Sequence, residues 1–324
     1  MDNNHKFQIS YSIDKSGRGR EINREEITYG QPAQGLLWVH LNYSDRDARQ
    51  WLQEESGLGL IIVEALLREE TRPRVSEIDD GLLISLRGIN RNPGSDPEDM
   101  VSLRIWVDKD RVISTGKRRL LSVEELSDDI RQGKGPGNAG EFLVEIAARL
   151  LAQMSLVIQE VEDDADSLEE DVLLSESQEL RLRLGSLRRQ VIELRRYIGP
   201  QRDAMAALQV KKTSWLGDDD KIRLREVSDH ITRFVENLDS IRDRAAILHE
   251  EFVGRLSDSI NQRIYILSVM ASIFLPLSFL TGLLGINIGG IPGAGNEQAF
   301  VKFCLFLLII VLFQLWIFRR KKWI

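Results

Sequence analysis

Cysteine is almost missing from this chain: Cys304 is the only one in 324 residues. A lone thiol excludes a disulfide framework and a cysteine-built metal site, and fits a reducing compartment for the bulk of the chain. A basic surplus is missing too. With a formal charge of -7, the chain lacks the positive face that nucleic acid requires, so no nucleic acid is expected as a partner; an acidic protein attracts cations instead. The polar stretch Met1 to Ser12 has neither the basic start nor the apolar run of a signal peptide, so nothing there is expected to direct the following residues across a membrane. Catalytic patterns are lacking as well. Gly116-Lys117 has no earlier glycine to complete a phosphate-binding loop, and His249-Glu250 begins like a zinc-protease motif but meets Val253 where the second His belongs. No nucleophile, base and metal constellation emerges, so neither enzymatic activity nor a bound cofactor is expected.

What the chain does have is apolar mass at its C-terminal end. Ile264 to Leu284 runs 21 residues without a charge, and Ala299 to Phe318 runs 20 with only Lys302 near its start. Each is long enough to cross the ~30 Å hydrocarbon core of a bilayer as a helix. Arg319, Arg320, Lys321 and Lys322 follow the second stretch, whereas the connection Gly285 to Gln298 has no Lys or Arg and only one charge, Glu297. Both termini are therefore expected on the cytoplasmic side of a cell inner membrane, with membrane lipids as surroundings.

Upstream, the composition changes twice. In residues 1–132, the runs Phe7 to Ile13, Leu36 to Leu41, Leu82 to Ile89, Ser102 to Val107 and Arg111 to Thr115 read as strands, with Asp45 to Glu55 and Leu60 to Glu70 as helices. Asn90 to Asp99, with Pro93, Gly94 and Pro97, reads as a loop between two strands. This makes a cytoplasmic α/β domain. A glycine-rich break precedes residues 141–217, a helical pair: the apolar spacing from Glu141 to Asp171 predicts one helix, and a second is expected from Ser177 to Tyr197, with Pro200 opposing its continuation. Asp218-Asp219-Asp220 then opens a third helix with the acidic first turn its dipole favours. It is expected as a stalk over 218–263 and a membrane span over 264–284. If unbroken to Leu284 it would be roughly 100 Å long. An external loop at 285–298, a second span at 299–318 and a basic tail at 319–324 complete an expected α+β membrane protein.

The long helix carries two patterns. Ile231, Phe234, Leu238, Ile241, Ala245, Leu248 and Phe252 mark a face that packs against protein. Asp229, Glu236, Asp243 and Glu250 recur every seven residues on another side, and their phase continues through Ser257, Ile264, Ala271, Ser278 and Gly285. A neighbouring phase gives Gly254, Asn261, Ser268, Leu275 and Gly282. The acids alone would pass for a solvated helix face. Together with the neutral continuation they read as a funnel that gathers cations above a pore lining, and a seven-residue repeat holds such a line when helices supercoil gently. Two spans cannot enclose a pore, so this reading requires a symmetric oligomer. Without ionisable residues the first span offers no proton relay and no soft ligands for a dehydrated zinc ion, so ions would pass with much of their water. Glu160 to Asp171 and Arg181 to Arg196 read as solvated or mutually paired helix faces, with a regulatory cation site as the alternative, and His230 and His249 as exposed or structural.

At the end of the first span, Gly285-Ile286-Asn287 resembles the Gly-Met-Asn signature of the CorA family of metal-ion transporters. The run Gly285-Ile286-Asn287-Ile288-Gly289-Gly290-Ile291-Pro292-Gly293 is similar to the ZntB branch, where Ile replaces Met, and the layout agrees over the whole chain. The resemblance implies a funnel-shaped homopentamer whose first spans line the pore. It implies Gly285, Ile286 and Asn287 as the entrance filter for hydrated cations, Glu297 as an outer charge ring, Asn261 at the cytoplasmic end of the pore, and Leu267, Leu275 and Ser278 as pore-facing. Ile286 favours Zn2+ as the transported ion, with Mg2+, Co2+, Ni2+ and Cd2+ as alternatives, and transport either passive or proton-coupled. From a different class, the chain would be a membrane-anchored scaffold or sensor.

Overall fold

The computed structural model describes residues 9–27, 35–69, 72–174, 177–285 and 298–321. They divide into two compact units, Met1–Glu250 and Glu251–Ile324. The first unit opens with a seven-stranded sheet formed by β1 (Ile9–Ile13), β2 (Gly19–Glu21), β3 (Leu36–Asn42), β4 (Arg74–Ile78), β5 (Gly81–Gly88), β6 (Val101–Val107) and β7 (Arg111–Gly116), in the order β2-β1-β3-β7-β6-β5-β4. Only β3 and β7 run parallel, with Trp38 opposite Val112 and His40 opposite Ser114. The strands expected from the sequence are all present. The two it missed, β2 and β4, are the sheet's outermost strands.

Each face of the sheet is covered. Val39, Leu41, Leu83, Trp106 and Ile113 pack with Ala48, Trp51 and Leu52 of α1 (Arg46–Glu54) and Ile62, Val63 and Leu66 of α2 (Leu60–Leu67). Asp45 starts α1 by accepting a hydrogen bond from the Asp47 N–H, the usual way a helix satisfies its first donors. Buried Arg104 anchors the end of α2, donating to the Glu69 carbonyl at 2.9 Å and lying over the Tyr43 ring. On the opposite face, Trp38 meets Phe142 edge to face at 5.1 Å and donates to the Ser114 hydroxyl. Strand β3 thus buries both faces, which is why it reads as a nearly continuous apolar run. Helix α3 (Leu121–Arg131) was not anticipated. Leu120 at its N-cap offers no capping side chain, so the usual start signal is absent.

Three long helices follow: α4 (Ala139–Leu174), α5 (Gln178–Gln209) and α6 (Asp218–Leu284). Helix α5 corrects the expected stop near Tyr197, because it passes through Pro200. A proline removes one helical hydrogen bond, and here the surrounding packing outweighs that loss. Ile198, Gly199, Gln201, Ala204 and Met205 are buried, and the Gln201 side chain accepts from the Arg87 backbone N–H at 2.7 Å. In the first unit α6 buries Leu224, Val227, Ile231, Val235, Leu238, Ile241, Ala245 and Leu248. Phe234, expected in this row, is half-buried and Val235 takes its place. Helix α5 buries Leu180, Leu184, Leu187, Val191, Leu194 and Ile198 at alternating steps of four and three, α6 mixes the same two steps, and α4 repeats at Met154, Val161 and Leu168. This is the seven-residue packing rhythm of coiled coils. Arginines tie the rods together, Arg195 to Asp239 at 3.1 Å and Arg244 to both Asp166 and Glu169 at 2.6 Å.

His40 supplies a pH response. Its ring is buried beside the Ser114 hydroxyl at 2.9 Å, and burial lowers its pKa from 6.5 to about 4. Between those values the unfolded chain takes a proton that the fold refuses. The stability present above pH 6.5 is therefore lost as pH falls toward 4, by up to about 3 kcal/mol. We expect His40→Gln to flatten stability against pH across that window, read from denaturant midpoints of the purified protein; an unchanged slope would assign the response to other groups.

Candidate functional site

The acid row and the neutral row of α6 lie in different units. In the first, Leu224, Ile231, Leu238 and Ala245 form one buried line seven residues apart, with Val227, Ile241 and Leu248 beside it. Asp229, Glu236, Asp243 and Glu250 each stand five residues after a member of that first line, on the side of the helix turned away from the seam, and all four are exposed. Asp243 pairs with its neighbour Arg242 at 2.8 Å, whereas Asp229, Glu236 and Glu250 have no ion-pair partner among the described residues. Acids nearer the seam are committed: Asp239 to Arg195 and Arg242, Asp164 and Asp171 to Arg183. The two charge-rich stretches, Glu160 to Asp171 and Arg181 to Arg196, are thus paired in large part, as the sequence suggested. Five of the eight acids that would build a regulatory cation site there, Glu160, Asp164, Asp166, Glu169 and Asp171, neutralise arginines.

His230 and His249 are exposed on α6, and among the described residues the buried histidine is His40, which no pattern in the sequence marked. Among the described residues no group of three or more His, Cys, Asp or Glu side chains is placed to hold a metal ion.

The second unit consists of the C-terminal part of α6 and α7 (Ala299–Arg320). Both are long and apolar enough to cross a membrane, and their most apolar stretches are not buried within the chain. Leu267 is 68 % exposed and Leu275 71 %. A helix pair this apolar and this uncovered needs lipid or further protein around it. Asn261, Ile264, Leu267, Ser268, Ala271, Leu275, Ser278 and Gly282 are all exposed on α6. Several hydroxyls in this span turn inward to the helix itself: Ser268 donates to the Ile264 carbonyl at 2.8 Å, and Thr281 to the Leu277 carbonyl at 3.0 Å. Gly285 stands one residue past the helix end, and its N–H still reaches the Thr281 carbonyl at 2.9 Å. Ile286, Asn287 and Glu297 lie outside the described residues. The second helix continues two residues beyond the expected Phe318, ending in Arg319 and Arg320, cations that suit a helix C-terminus.

Comparison with known proteins bears on the whole chain. The sequence family described as CorA-like Mg2+ transporter protein matches residues 33–320. The zinc transport protein ZntB of Yersinia enterocolitica is 37 % identical over 316 residues, covering 97 % of this chain and 95 % of that protein. The divalent cation transporter CmaX of Pseudomonas aeruginosa is 39 % identical over 317 residues, covering 97 % and 96 %. Among solved structures, full-length CmaX superposes with a TM-score of 0.86 at 38 % identity, covering 99 % of each chain. The complete CorA magnesium transporter of Methanocaldococcus jannaschii gives a TM-score of 0.81 at 19 % identity, covering 98 % of this chain and 99 % of that one, a likeness of fold.

The contrast between seam and acid row is measurable. Leu238 is fully buried, and Leu238→Ala should cost about 2–5 kcal/mol of stability. Glu236→Gln, on the exposed row, should stay within about 0.5 kcal/mol of the parent. Denaturant unfolding followed by circular dichroism separates the two; comparable losses would mean that the acids serve the packing.

Proposed function

The chain belongs to the family of CorA-like Mg2+ transporter proteins, and on that premise we propose that it carries divalent metal cations across the cell inner membrane through a pore built from five copies of itself. The observation that carries this reading is the pair of uncovered apolar helices, at the end of a chain similar over nearly its full length to named cation transporters. In this reading, residues 264–284 of α6 line the pore, α7 stands outside them, and both termini are cytoplasmic, the side indicated by Arg319, Arg320, Lys321 and Lys322.

Each pattern then has a task. Asp229, Glu236, Asp243 and Glu250, three of them without ion-pair partners among the described residues, raise the local cation concentration on the cytoplasmic side. Asn261, Ser268, Ala271, Ser278 and Gly282 give a neutral lining along which a hydrated ion can pass without being held too tightly to leave. Ile264 keeps the same phase, while Leu267 and Leu275 narrow the path as apolar constrictions. Gly285, Ile286 and Asn287 form the outer filter, where five Asn287 amides would hydrogen-bond the ion's water shell, and Glu297 adds an unselective ring of negative charge. Zn2+ is the proposed ion, supported by Ile286 and the similarity to ZntB. Mg2+ and Co2+ form the second reading, favoured by the family description.

Uptake of Zn2+ and Mg2+ into proteoliposomes, run side by side with and without a pH gradient, tests the proposal. We expect Zn2+ uptake, and at least roughly tenfold slower or unselective uptake from Asn287→Ala, equivalent to ~1.4 kcal/mol in the barrier. Unaltered rate and selectivity in Asn287→Ala would remove the filter from that residue. A dimeric protein that moves no ion would make the chain a membrane-anchored scaffold.

A further inference from the structure

Pro276 lies inside α6, in the middle of the apolar stretch. Having no N–H, it leaves the carbonyl four residues earlier, that of Ser272, without its helical donor. In water this would matter little. In hydrocarbon every backbone group must find a partner within the protein. The hydroxyl of Ser272 does not serve, since it donates to the Val269 carbonyl at 2.9 Å. The donor comes from the other helix: Gln314 Nε2 lies 3.3 Å from the Ser272 carbonyl oxygen.

Gln314 is otherwise hard to account for. Between Lys302 and Arg319 it is the only amide side chain in an apolar helix. A carbonyl only accepts, so the amide nitrogen must face Ser272, and this turns Oε1 away. Oε1 is buried and has no hydrogen-bond partner among the described residues. An apolar side chain of the same size would avoid that unpaired acceptor. Donation to the carbonyl freed by Pro276 is the compensating gain.

We propose that Gln314 is a positioning residue for ion passage: it supplies the hydrogen bond that Pro276 withholds, and so fixes α6 at the level where Leu275 faces the pore. The inference rests on the pore reading given above, because Ala271, Leu275 and Ser278 flank the bonded pair Ser272 and Pro276 along the chain. Without Gln314, the Ser272 carbonyl must find a donor by rearranging its own helix, and the Leu275 side chain moves with that turn. The outer mouth is not involved. Maximal flux should therefore change while the half-saturating ion concentration does not.

The test is a double-substitution cycle on the full chain in proteoliposomes with Zn2+ as the probe. Gln314→Met keeps the volume and removes the donor. It should lower maximal flux about threefold or more, the factor matching an average membrane-embedded hydrogen bond, with half-saturation unchanged. On the Pro276→Ala chain, which restores the peptide N–H at that position, the same replacement should change flux by less than roughly 1.5-fold. An equal loss in both backgrounds, a loss in neither, or a shifted half-saturation overturns the inference. Melting of the detergent-solubilised protein reads the bond independently of transport. Gln314→Met should lower the midpoint by about 1 °C on the native chain and leave it unchanged on the Pro276→Ala chain. Equal shifts overturn the bond itself, whereas a native chain that moves no ion but shows the melting coupling overturns the pore reading and leaves the bond in place.

Discussion

Burial of one seven-residue seam organises the helical part of the molecule. A step of seven residues falls about 20° short of two full turns, so a line of apolar side chains at that spacing stays together only where helices wrap gently around one another. Leu224, Ile231, Leu238 and Ala245 on α6 keep this spacing, as do Leu180, Leu187 and Leu194 on α5 and Met154, Val161 and Leu168 on α4. Once that line is fixed, everything else on α6 has an address. Asp239 falls beside the seam and is claimed by Arg195. Asp229 and Glu236 fall on the far side and are left to solvent. The acid row is a consequence of the seam's phase, and its availability for cations follows from the same geometry.

Much of this was legible in the residues. The central strands announced themselves because burial on both faces demands β-branched and aromatic text, as in Leu36 to Leu41. The two apolar stretches needed only their length and lack of charge. The parts that escaped depend on partners distant in sequence. Strand β4 is a half-polar edge whose pairing is set by β5, and α3 begins at an uncapped Leu120. The stop expected at Pro200 failed because local chemistry was judged without the burial of Ile198 and Gln201 around it. Local propensity lost to packing there.

The candidate site was legible to different depths. The change from acidic to neutral residues along one seven-residue line needs no structure to be seen. The outer mouth rests on Gly285-Ile286-Asn287, of which the described residues include only the glycine. Gln314 was passed over altogether, since one amide in an apolar helix has no periodicity, and its meaning appears only when Ser272 is found opposite. Prolines at 200 and 276 make the same point from two sides. Each sits inside a helix that continues, and beside each a glutamine hydrogen bond joins that helix to another element: Gln201, next to Pro200, to Arg87 of β5, and Gln314 of α7 to Ser272, one turn before Pro276.

The seam also limits how the chain can change in length. Removing one residue from α6 between Leu224 and Leu248 would turn all that follows by about 100° relative to the seam, bringing charged side chains inward and apolar ones out. Adding or removing seven would rotate it by only about 20°. Relatives of this chain should therefore differ along this helix by lengths close to whole turns, such as seven or eleven residues, so that the length of the helix is inherited in discrete steps.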